Sequence, residues 1–89
     1  MKIYVVYEKF CADWNNGEVF IESAYKNKRR AIKKANTLVK ESKQYDFYVD
    51  KKLSKKKNPF KNNNCVDLYK DEQDEKIKSI VIEEIKLVA

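Results

Sequence analysis

The sequence predicts an α+β fold: one helix packed on a mostly antiparallel sheet of four to five strands, in the order β-β-α-β-(β)-β. Three observations predict it. Residues 28–43 carry apolar side chains at helical spacing, several shorter stretches are rich in β-branched and aromatic residues, and an Asn-Gly pair stands between the first two of those stretches.

Each element has its own local reason. Residues 2–7 (Lys-Ile-Tyr-Val-Val-Tyr) are apolar on both parities, as expected of a central strand, and residues 9–15 either prolong it or bulge from it. Residues 18–25 form a second strand, with Val19, Ile21 and Tyr25 on one face and Phe20 between Glu18 and Glu22 on the other. Asn16-Gly17 contains the only glycine of the chain and supplies the positive φ of a tight turn, so these strands pair as an antiparallel hairpin. Asn27 then caps a helix over 28–43 that lacks Pro and Gly. At about 100° per residue, Ala31, Ile32, Ala35, Leu38, Val39 and Ser42 share one arc, with Arg29, Arg30, Lys33, Lys34, Thr37 and Lys40 opposite.

Residues 45–50 alternate as a third strand, with Tyr45, Phe47 and Val49 on one side and Tyr48 between Asp46 and Asp50 on the other. Residues 51–64 read as a flexible Lys/Asn-rich loop containing the only proline, Pro59; loops of this length are usually functional or disordered. Residues 65–70 suit a short edge strand, and the acidic run 71–75 a turn. In the tail, Ile77, Ile80, Val81, Ile85 and Val88 would fit a helix face, but Ser-Ile-Val-Ile is strongly β-forming, which favours a final strand over 78–88. Eighty-nine residues make a single domain, 1–89.

The net charge of +6 conceals a division. Residues 26–61 hold fourteen Lys/Arg and three acids, a local +11; the remainder holds six Lys and eleven acids, a local −5. Eighteen of the twenty cations are lysine, whereas bidentate recognition of carboxylate or phosphate favours arginine. The chain has no histidine, which excludes His-dependent acid–base, nucleophilic and metal chemistry. A single glycine excludes Walker and dinucleotide loops. Cys11 and Cys65, 54 positions apart, make no zinc knuckle and read as reduced thiols. An EF-hand starting at Asp71 would need Gly at 76 and Glu at 82, where Lys76 and Ile82 stand. No cofactor, metal or catalytic activity is expected. Only five apolar residues follow Lys2 before Glu8, too few for an export signal or a membrane span, so the expected location is the cytoplasm.

Two basic elements remain as binding candidates: the outer helix face (Arg29, Arg30, Lys33, Lys34, Lys40) and the loop (Lys51, Lys52, Lys55, Lys56, Lys57). They suit either contact with the phosphates of DNA or RNA or an acidic protein surface; a solubilising role is the plain alternative. Tyr4, Phe20 and Tyr48, taken to face away from the helix, would form an apolar patch rimmed by acids, suited to a protein interface or a homodimer.

Residues 1–7 (Met-Lys-Ile-Tyr-Val-Val-Tyr), 18–22 (Glu-Val-Phe-Ile-Glu), Ala31 with Ala35-Asn36, and 81–85 (Val-Ile-Glu-Glu-Ile) together resemble short bacteriophage and mobile-element proteins of low-GC bacteria. That group includes inhibitors of bacterial immunity such as anti-CRISPR proteins. The resemblance implies a non-enzymatic inhibitor or modulator of a host protein or nucleoprotein complex, acting in the host cytoplasm as a monomer or homodimer. The positive charge departs from acidic DNA mimics. A nucleic-acid-binding accessory protein is the alternative.

Overall fold

β-branched and aromatic residues at both ends of the chain, and a helix former between them, place the strands around one helix. The computed structural model describes residues 1–11, 17–50, 53, 56, 58–70 and 76–88. The elements are β1 (Lys2–Phe10), β2 (Val19–Tyr25), α1 (Lys28–Lys43), β3 (Phe47–Val49), β4 (Cys65–Lys70) and β5 (Lys76–Lys86). The strands form one sheet in the order β2-β1-β5-β4-β3, with every neighbouring pair antiparallel. The α+β class stands as expected, but β4 lies inside the sheet and β3 takes the edge.

α1 coincides with the expected span because its signals are local. The Asn27 side chain accepts a hydrogen bond from the Arg29 N–H at 2.8 Å, and Lys40 and Lys43 lie in the last turn, where cations favour the helix dipole. Ala31, Ala35, Leu38, Val39 and Ser42 are buried, and Ile32 packs at the core margin. The two alanines let the helix axis approach the sheet closely, over Val6 of β1 and Ile80 and Ile82 of β5.

Three departures from the sequence reading have physical causes. The expected strand 45–50 shrinks to three residues because Tyr45 and Asp46 form the exit turn from α1, with Asp46 at φ 66°, a conformation that Asp tolerates better than most side chains. In β2, Ser23 pairs with Val6 and Ile21 with Tyr7, so Glu22 is an extra residue. This bulge reverses the alternation, putting Tyr25 on the helix side while Val19 and Ile21 stay on the other. Lastly, the described part of the 51–64 segment enters the core. Phe60 is 1% exposed, and the Asn58 Oδ1 beneath it accepts from Asn36 Nδ2 of α1 at 2.9 Å and from the Phe60 N–H at 3.2 Å. Burying such a side chain contributes about 2–3 kcal/mol.

Gly17 has φ 70°, as a turn between β1 and β2 requires; Asn16 and the acidic run 71–75 lie outside the described residues.

Candidate functional site

The outward side of α1 is a cationic ridge. Arg29, Arg30, Lys33 and Lys40 are exposed and Lys34 is half-buried. Arg29, Lys33 and Lys40 follow one another along the crest. Arg30, Lys34 and Thr37 stand on the flank towards β2, where with Lys33 and Tyr25 they line a groove of about 320 Å³. Thr37 donates its hydroxyl to the Lys33 carbonyl at 3.0 Å, which holds it against the helix. Tyr25 lies in this groove because the β2 bulge turns it to the helix side; the sequence reading gave it no role.

Lys34 shares a pocket with Glu8, Glu22 and Glu41, but the ridge cations form no ion pair among the described residues. Among the described residues the ion pairs are Lys2–Glu84 at 3.6 Å and Lys78–Glu8 at 3.0 Å, and neither involves α1. No acid occupies the first turn of α1, which carries Lys28, Arg29 and Arg30 at the positive end of the helix dipole.

The loop half of the expected site is not brought alongside. Lys51, Lys52, Lys55 and Lys57 lie outside the described residues. Lys56 lines a separate cleft with Asp50, Leu53, Cys65, Asp67 and Tyr69, at the β4 end of the sheet.

The expected apolar trio is dispersed. Tyr4 packs against the core on the helix side, as does Val6. Phe20 shares that side at the β2 edge, with its ring edge-to-face against Phe10 at 5.7 Å. Tyr48 belongs to the opposite edge, stacked on Tyr69 at 5.7 Å. β1 is apolar on both parities, so alternation alone could not tell which set faces the helix.

Beneath the C-terminal half of α1 lies a feature the sequence reading missed. Lys78 of β5 is buried, with its Nζ 3.0 Å from Glu8 Oε1, 4.7 Å from the centre of the Phe47 ring and 5.5 Å from that of Phe10. A lysine amid β-forming residues with an acid on the neighbouring strand was the available signal. On the sheet's other side, Cys65 Sγ lies 3.6 Å from Asp67 Oδ1, which also accepts from Ser79 Oγ at 2.6 Å. Desolvation, then the Asp67 charge, pushes the Cys65 thiol up, so the sulfur is a poor nucleophile. Burial and then Glu83 push the Tyr7 phenol up.

Among the described residues no group of three or more His, Cys, Asp or Glu is placed to hold a metal ion, and no helix is long and apolar enough to cross a membrane. The chain matches no protein-family model, no curated protein and no solved structure.

Proposed function

We propose that the protein is a non-catalytic binding protein that applies the outer face of α1 to an acidic surface of a host protein or nucleoprotein complex and so inhibits or modulates it. The observation that carries this reading is the cationic ridge, which forms no ion pair with a described acid and starts with Arg29 and Arg30 in the helix's first turn. Cations there oppose the dipole at about 0.3–1 kcal/mol each, so charge added only for solubility would stand at lower cost elsewhere. The resemblance to small phage proteins that inhibit bacterial immunity supplies the class of partner.

Captured from host lysate, the tagged protein recovers one stoichiometric partner, and Arg29→Glu, Arg30→Glu, Lys33→Glu and Lys34→Glu together abolish that recovery. Recovery unaffected by the reversal removes α1 from the mechanism. The groove beside Tyr25, lined by three cations, favours a second reading in which the ridge contacts nucleic-acid phosphates directly. In that case binding to DNA or RNA falls steeply between about 50 and 200 mM salt, with a slope of about −0.9 per phosphate neutralised on duplex DNA. Absence of binding at low salt eliminates it.

A further inference from the structure

α1 covers one face of the sheet; on the other, Leu53 and Lys56 border the β4 end beside Cys65 and Asp67, and no described helix or strand lies over β2, β1 and β5. The ladders align that second face in rows. The central row is Ile21, Tyr7, Val81 and Cys65, across β2, β1, β5 and β4. Two residues along β1 in one direction is the row of Val19, Lys9, Ser79 and Asp67; two residues in the other direction is that of Ala24, Val5 and Glu83. Ile3 and Ile85 follow. Across the four strands these rows hold Lys9, Glu83 and, at the β4 end, Asp67, whose carboxylate accepts from Ser79 and Cys65; among the described residues Lys9 and Glu83 enter no ion pair. The rest is apolar or small, and Ile21 is 72% exposed. An apolar face of this kind on a sheet marks an interaction surface.

The placement of the two charges identifies the occupant. Lys9 and Glu83 stand on adjacent strands, each two residues from the Tyr7–Val81 row and on opposite sides of it. A two-fold axis lying between two such faces, perpendicular to the strands and over Tyr7, sets the central row on its own copy and the Lys9 row on the partner's Glu83 row. Two symmetry-related Lys9–Glu83 pairs then flank a Tyr7–Tyr7 contact. Sheets packed about 10 Å apart, and rotated by about 30°, leave this span within reach of a lysine side chain. A face complementary to itself in this way is what an isologous contact requires. Four strands about 4.8 Å apart and seven residues of about 3.4 Å give at most roughly 450 Å² of projected face per copy, about 900 Å² in total, which lies below stable interfaces and in the range of weak, transient ones.

We propose that the helix-free face of the sheet is the interface of a weak homodimer, with Tyr7 at its centre and Lys9–Glu83 pairs on either side. This holds whether or not the α1 ridge binds what is proposed above, because the ridge lies on the far side of the sheet.

Sedimentation equilibrium tests it. The protein self-associates as a dimer at tens to hundreds of micromolar, the affinity class of a small interface. Lys9→Glu and Glu83→Lys each weaken association about tenfold, and the two together restore it to near the original value. Ile21→Asp abolishes association while the circular dichroism spectrum and urea midpoint stay unchanged, as expected at so exposed a position. In a Cys11→Ser background, a short bis-maleimide links Cys65 to Cys65 of the second copy. A monomer at about 500 µM overturns the proposal, as does a dimer unaffected by Ile21→Asp or a double charge swap weaker than either single one.

Discussion

Two sets of cations in this chain meet opposite surroundings. The side chain of Lys78 is 10% exposed, held by Glu8 and two aromatic rings beneath the end of α1. Arg29, Arg30, Lys33 and Lys40 on α1 stand in solvent, pair with no described acid, and at the helix start oppose the dipole. A lysine serving the fold is thus surrounded by everything that compensates its burial, while the ridge lysines and arginines have no ion-pair partner among the described residues. That contrast is why the proposed binding role rests on the ridge and not on the total charge.

The sharpest way to break the comparison is Lys78→Ala. It strands the Glu8 carboxylate in a site that is 15% exposed, and urea unfolding is expected to report a loss of about 3 kcal/mol. Replacing the pair with Lys78→Met and Glu8→Leu recovers most of that loss, since an apolar pair needs no desolvation. A loss below about 0.5 kcal/mol for Lys78→Ala would put Lys78 with the surface cations and dissolve the contrast. On the ridge the sign reverses. Arg29→Glu with Arg30→Glu is expected to raise stability by about 1 kcal/mol at low salt, measured by thermal unfolding, and the gain shrinks as salt is added.

The smallest effect lies on the other face. The Cys65 and Tyr7 groups ionise less readily in the folded chain than in the unfolded one. Their contribution is therefore complete below the unfolded values and is lost as pH rises through the folded ones, so stability declines gently from about pH 8.5 upward. Cys65→Ser flattens the first part of that decline in urea titrations at several pH values. In the native protein Cys65 also reacts with a maleimide more slowly than in urea.

What the sequence made legible was local. The span of α1, its Asn27 cap and its buried stripe follow from helical period and composition, and both terminal strands from β-branched content. The misplacements share a non-local cause. No property of residues 18–25 announces the extra Glu22, yet it decides which groove Tyr25 enters. Phe60 sits in a lysine-asparagine tract whose composition reads as solvent-exposed, and only contact with α1 shows it as core. Lys78 resembles any surface lysine until Glu8 and Phe47, 70 and 31 positions away, are brought beside it. The ridge was visible because a helix face is encoded within sixteen residues. The helix-free face was not, because it is assembled from four strands.

The pairing of β1 with β5 also governs how this chain reaches its fold. Phe10 meets Lys78 and Lys2 meets Lys86, contacts between residues 68 and 84 positions apart. Closing loops of that size precedes any gain from the central ladder, which places folding towards the millisecond-to-second range of sheet proteins. The β1–β2 hairpin and α1 form within microseconds, but Val6 stays uncovered and one edge of β1 unpaired until β5 docks. During that interval the half-built sheet offers a sticky edge to other chains. Refolding yield should therefore fall with protein concentration more steeply than the stability of the finished molecule would suggest.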